Sequence, residues 1–236
     1  MSTFLQESRS LASHFLKAIS LLFGVAFILL VFPTDRSLTV MVMDRVRQDL
    51  VPAGVRLIVT DPLSAFLAQV QVAVLLAFII LFPLLLYGIL RYFSPALYRH
   101  EKRVLAQVFF PAILLFVCGC VFAYAFLIPK TFALLYPCAT AIGATPLFQV
   151  KDFLFLTFGL MVVSGVLFLL PVVMMLLNSL GIVGPGFWMK YWRHAFFGFL
   201  VFSAIITPDG TGITMLMLCV PFTAFYFLGA FLKIRK

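Results

Sequence analysis

The chain has 236 residues, 64% of them hydrophobic and 11% charged, with a formal net charge of +9. A soluble domain carries about 25% charged residues, so this deficit, with several apolar runs longer than about 18 residues, excludes an ordinary soluble fold and points to an all-α membrane protein, one membrane domain over 1–236. A β-barrel would show short alternating segments instead, and basic residues gathered at the ends of apolar runs read as membrane orientation rather than nucleic-acid binding.

Residues 1–17 form a polar tail with weak helical spacing that holds Glu7, Arg9, His14 and Lys17. The first span covers about 18–32 and is closed by Pro33 and Asp35. No small-x-small cleavage site follows it, so it reads as a retained helix. In 38–50, Leu38, Val42, Val46 and Leu50 recur every four residues between Asp44, Arg45, Arg47 and Asp49. That pattern predicts an amphipathic helix at the interface or capping the bundle. Pro52 and Gly54 mark a turn, 56–60 is β-branched and extended, and Asp61 with Pro62 supplies an N-cap and a first helical position for a second span over 66–90.

A polar loop at 91–103 separates this span from a third over 104–128. A second long loop, 130–151, precedes a fourth span over 153–177. After the break GIVGPG, residues 187–194 (FWMKYWRH) mix aromatic and basic residues as an interfacial belt does. A fifth span over 195–207 is only about 20 Å long at 1.5 Å per residue, short of a hydrocarbon core of about 30 Å. Pro208, Asp209 and Gly210 turn the chain into a sixth span over 213–232. Pro83, Pro111, Pro129, Pro171 and Pro221 lie in or at the ends of spans and predict bent helices. One set of span ends holds eleven Lys and Arg against only Glu7 and Glu101, and the other holds six against six acids. The first set is therefore cytoplasmic, both termini included.

The span interiors contain no Asp, Glu, Lys or Arg, which counts against ion-coupled carriers and pumps. A small-solute channel or carrier with a neutral pathway stays open as the alternative. Their milder polar residues, among them Gln71, Thr157, Ser164, Asn178, Ser203 and Thr223, are expected to make interhelical hydrogen bonds. The three histidines sit at span ends, and Cys118, Cys120, Cys138 and Cys219 lack metal spacing, with only Cys138 in a loop. Neither catalysis, a cofactor nor a metal is expected.

Segment 91–103 reads RYFSPALYRHEKR. Phe93, Pro95-Ala96-Leu97-Tyr98 and His100-Glu101-Lys102-Arg103 are accompanied, in order along the chain, by Pro52-Ala53-Gly54, Thr60-Asp61, FPLLLYG, Phe122-Ala123-Tyr124, GVLFLLP and Ile206-Thr207-Pro208-Asp209-Gly210. With these motifs the chain resembles the TatC family, the multi-spanning receptor subunit of the twin-arginine protein translocase, over about residues 50–232. The resemblance implies binding of Arg-Arg signal peptides and export of folded proteins driven by the proton-motive force. It also implies single-span partners of the TatA and TatB kind, a lipid environment in the cytoplasmic membrane, and self-association as an open question.

A guanidinium pair calls for carboxylate, since bidentate Arg–carboxylate contacts are strong and directional. Glu101 is the implied ligand, with Phe93 as an apolar contact, Glu7 as a second acid, and Arg99 and Tyr98 beside them. From the residues alone, Glu101 reads first as a local ion pair with Arg99, Lys102 or Arg103 at a helix start. The resemblance further assigns Pro52, Gly54 and Asp61 to an outer loop, and Leu169, Pro171, Thr207 and Asp209 to a partner-subunit face. From the residues alone, Asp209 is a turn-former. The chain departs from the family at Phe4, where a His is expected, and at Lys17, where a Glu is expected. It also departs in having Leu169-Leu170 where an acid precedes the fourth-span proline, and at Gln71 in place of a basic residue.

Overall fold

The computed structural model describes residues 2–31, 38–50, 56–59, 61–93, 99–133, 147–184, 186–206 and 212–231. The chain divides into two compact units, Met1–Tyr92 with Leu147–Gly159, and Phe93–Pro146 with Leu160–Lys236.

The first unit begins with α1 (Ser2–Val31), which takes in most of the polar tail as well as the first apolar run. No proline occurs before Pro33 and the tail's Leu, Gln, Glu and Ala favour helix, so nothing interrupts it. Ala26 and Leu29 of α1 pack against Ala73 and Ala77 of a later helix, α3, defined below. The amphipathic segment is α2 (Leu38–Leu50), with Thr39, Val46 and Leu50 buried. Leu38, at the start of the expected apolar row, is instead 42% exposed. The buried Thr39 hydroxyl donates to the carbonyl of Leu29 at 3.0 Å, satisfying one of the four acceptors that the end of α1 leaves open. Arg45 and Asp49 form an exposed pair at 3.5 Å, worth about 0–1 kcal/mol.

The extended stretch is β1 (Arg56–Ile58). It pairs in parallel with β2 (Leu147–Gln149), Arg56 opposite Leu147 and Ile58 opposite Gln149. β2 lies in what the sequence reads as a loop. Three residues are too few to display a period of two, and its hydrogen-bonding partner is far away in the chain.

α3 (Pro62–Phe93) runs unbroken through Pro83. Its start is built as expected. The Ser64 N–H donates to Asp61 Oδ1 at 2.7 Å, and the Ser64 hydroxyl returns to the Asp61 carbonyl at 2.7 Å. Asp61→Ala removes the acceptor for one orphan helix donor. It should lower stability by about 1 kcal/mol, read as a shift in the unfolding midpoint of the purified protein, whereas Asp61→Asn should be nearly neutral.

The second unit opens with α4 (Arg99–Phe122), which continues past Pro111 into a π-helical turn, Ala123–Leu127. There the Ile128 N–H bonds the Ala123 carbonyl, five residues back, and helix resumes over 128–133. A proline ring clashes with the carbonyl four residues before it. For Pro129 that carbonyl belongs to Ala125, inside the widened turn, which relieves the clash.

The fourth apolar run forms two helices, α5 (Val150–Leu167), which enters this unit at Leu160, and α6 (Leu170–Ser179). Phe168 and Leu169 make a turn between them, and Pro171 stands at the start of α6, where its missing N–H costs nothing. One turn of helix, α7 (Phe187–Lys190), leads into α8 (Trp192–Ile206), and α9 (Ile213–Phe231) follows with Pro221 inside.

Two close approaches set the packing of this unit. A Cβ on Gly119 would lie 2.7 Å from the Ser164 carbonyl oxygen and 2.8 Å from Gly165 Cα, so α4 and α5 meet backbone to backbone. A Cβ on Gly229 would lie 2.8 Å from both Pro171 Cα and Met174 Sδ, which seats α9 on α6.

Among the described residues, three helices are long and apolar enough to cross a membrane: Leu63–Leu90, Gln107–Ala133 and Val150–Ser179. Leu16–Val31, Trp192–Ile206 and Met215–Phe231 are shorter apolar helices. At 15 residues α8 is only about 22 Å long.

Candidate functional site

The polar segment 91–103 takes in the last three residues of α3 and the first five of α4, with 94–98 outside the described residues. Phe93 is the last residue of α3, Arg99 is the first of α4, and Glu101 is the third of α4. At a helix start the first four N–H groups lack partners and the macrodipole is positive, so a carboxylate in that turn is favoured. Phe93, Arg99 and Glu101 all belong to the second unit. Glu7 lies in the second turn of α1, in the first unit. Tyr98, Pro52, Gly54, Thr207 and Asp209 lie outside the described residues, as do Pro33, Asp35 and Cys138.

Pro171 is buried, its ring and Cα against Gly229. Leu169, in the turn just before α6, is half-buried. On either side of that turn, Val166 and Val173 are 44% and 46% exposed.

The polar residues of the apolar helices behave less uniformly than expected. The Thr157 and Thr223 hydroxyls donate to carbonyls four residues earlier in their own helices, at 2.8 Å each, rather than to a neighbouring helix. The Ser164 hydroxyl is fully buried with no hydrogen-bond partner among the described residues. Asn178 does bond outside its helix, accepting from Trp188 Nε1 at 2.8 Å.

That bond belongs to a polar clasp which sequence reasoning missed. The Tyr226 hydroxyl donates to the Trp188 carbonyl at 2.7 Å, and the Trp188 and Tyr226 rings meet edge to face with centroids 6.2 Å apart. α6, α7 and α9 are thereby joined through Trp188. Gly181 and Gly186, with φ of 69° and 84°, adopt the left-handed values that fold the intervening turn back. Flanking the clasp, Lys190 stands 5.6 Å over the Tyr191 ring and Arg193 5.7 Å over the Trp192 ring, as expected of an aromatic–basic belt. The glycine pair in GIVGPG was the available signal, but the ten-residue separation of Asn178 and Trp188 becomes contact only once the turn has its shape.

Tyr226→Phe should cost about 1 kcal/mol and Asn178→Leu about 1–3 kcal/mol, because the second strands the indole N–H. Unfolding midpoints of the two variants in detergent would show that order, and equal losses would contradict it.

The family model for "Sec-independent protein translocase protein (TatC)" matches residues 6–221. The chain belongs to the TatC family. The TatC protein of Cenarchaeum symbiosum is 36% identical over 195 residues, covering 83% of this chain and 74% of that protein. The TatC protein of Aquifex aeolicus is 30% identical over 179 residues, covering 75% of this chain and 74% of that protein. A crystal structure of the twin-arginine translocase receptor TatC in DDM superposes with a TM-score of 0.83 at 26% identity, over 97% of this chain and all of that one. A second TatC receptor crystal structure gives 0.78 over 95% and 96%. The all-α membrane fold is therefore the TatC fold, and the chain is a transport subunit of the Sec-independent, twin-arginine translocase. The matched region contains every candidate residue named above, from Glu7 to Asp209.

Proposed function

We propose that this TatC subunit recognises Arg-Arg signal peptides on the cytoplasmic face of the cytoplasmic membrane, through the segment between α3 and α4. The observation that supports this most directly is the position of Glu101, the third residue of α4, eight positions from Phe93 at the end of α3. Glu101 receives the guanidinium pair, Phe93 packs on the peptide's apolar part, Arg99 and Tyr98 shape the loop, and Glu7 supplies a second carboxylate. The chain crosses the membrane six times as one membrane domain, with both termini cytoplasmic and proline-bent spans. Pro52, Gly54 and Asp61 order the loop on the outer side.

Single-span TatA- and TatB-like partners dock on the face around Leu169, Pro171, Thr207 and Asp209. Since Pro171 is buried, the direct contacts there fall to exposed neighbours such as Val166 and Val173. The short α8 thins the bilayer beside that face, and the proton-motive force drives folded cargo through the assembly. The chain itself is not an enzyme and uses no cofactor.

A photo-crosslinker at Phe93 in native membranes tests the reading. An adduct with an Arg-Arg signal peptide that is lost with its Lys-Lys twin supports it. Equal labelling of the two peptides by a correctly inserted protein defeats it.

A further inference from the structure

α1 commits one face to the first unit and leaves another uncovered. Ala26 and Leu29, with Leu22 and Leu30 beside them, pack against the cluster around Ala73 and Ala77. On a different face, residues of α1 alone, among them Leu16, Lys17, Ser20, Gly24 and Ile28, line a shallow, largely apolar groove open to its surroundings. Leu16 and Ile28 are 65% and 55% exposed, and a Cβ on Gly24 would meet nothing within 4 Å. Glycine in a helix interior is less stable than alanine, and no neighbour among the described residues explains its presence there.

The groove is charged at one end only. Lys17 is exposed and has no ion-pair partner among the described residues. From Lys17 to Ile28 the helix rises about 16 Å, the depth of one leaflet of a hydrocarbon core of about 30 Å. Ser20 follows Lys17 by three positions and lines the same groove, adding a hydroxyl near the charged end. A membrane helix packing here would run the full depth of the bilayer and would need an acid opposite Lys17. A lipid matches both the one-leaflet length and the single charge.

We propose that this groove binds one anionic phospholipid, its phosphate on the Lys17 ammonium and one acyl chain laid along Ser20, Gly24 and Ile28. A lysine near an anionic headgroup is worth about a fivefold gain in affinity. The apolar remainder of the groove is indifferent to the headgroup. No residue of segment 91–103 lines it, and the proposal does not rest on signal-peptide recognition.

Native mass spectrometry of the full chain, released from micelles doped with phosphatidylglycerol or phosphatidylcholine, tests it. The wild type should retain phosphatidylglycerol preferentially. Lys17→Gln should cut that preference about fivefold, and Lys17→Arg should keep it. Gly24→Leu, which fills the groove, should reduce retention of both lipids, while Gly24→Ala should leave most of it. Unchanged phosphatidylglycerol retention in Lys17→Gln would overturn the proposal. So would efficient disulfide pairing of Gly24→Cys between two copies in phosphatidylglycerol-rich membranes, since the occupant would then be a second chain.

Discussion

Gly119→Ala should destabilise the protein by about 1–3 kcal/mol, the usual range for forcing an extra carbon into a packed interior. The added carbon would sit 2.7 Å from a backbone oxygen and 2.8 Å from a backbone carbon of α5. Neither can move without displacing the helix, and separating α4 from α5 also opens the surroundings of the buried Ser164. Gly165→Ala should cost less. Its new carbon meets the Phe116 ring at 2.7 Å and Cys120 Sγ at 2.9 Å, both side-chain atoms that have some room to yield.

Glycine-to-alanine changes in a helix interior gain about 0.8–1 kcal/mol of intrinsic propensity, so controls are needed to expose the clash. Gly159→Ala and Gly198→Ala, whose new carbons meet nothing within 4 Å, should be neutral or stabilising. Unfolding midpoints in detergent should therefore order Gly119→Ala below Gly165→Ala, and both below the controls. The same shift in all four variants would mean that this crossing does not limit stability.

Glu101→Gln should weaken binding of an Arg-Arg signal peptide by about 10- to 100-fold, because a hydrogen bond to a charged group contributes about 1.5–3 kcal/mol. The substitution keeps size and shape and removes only the charge. Binding of the Lys-Lys twin should hardly change, since a compact ammonium never made the forked contact. The competing role for Glu101 is local, a carboxylate stabilising the first turn of α4 or pairing with a basic neighbour. That role predicts a stability loss of about 0.3–1 kcal/mol and identical peptide affinities. Fluorescence-anisotropy titrations of both peptides, with a melting curve for each variant, separate the two. If the affinities stay equal, solute flux into vesicles containing this chain alone becomes the next measurement, as a neutral carrier would show it.

Hydropathy alone located most of the long helices, because some twenty apolar residues in a row without a charge are the length and chemistry of a membrane-crossing helix. Local chemistry located the start of α3, where Asp61 and Pro62 act through neighbours three residues away. What escaped depends on partners distant in the chain. β2 becomes a strand only opposite β1. The Trp188 clasp exists only once two left-handed glycines have turned the backbone. Thr157 and Thr223 bond within their own helices because the carbonyl four residues back is always in reach, whereas an interhelical partner depends on rotation about the helix axis. The split between α5 and α6 was signalled by Pro171, but the two-residue turn at Phe168 and Leu169 was not. In segment 91–103, only the family resemblance pointed to Phe93 and Glu101. Periodicity could not, because a motif that runs from one helix end to the next helix start has no period.

The parallel pairing of β1 with β2 links Arg56 to Leu147, 91 positions later in the chain. Ribosomes add about 5–20 residues per second, so the earlier strand waits roughly 5–20 s for its partner to be made. Throughout that interval its unpaired edge is a template for other extended chains. Residues 56–58 therefore spend that interval without the strand they pair with in the folded protein. Slowing elongation between the codons for residues 58 and 147 should lengthen that exposure and lower the yield of inserted protein without changing a single amino acid.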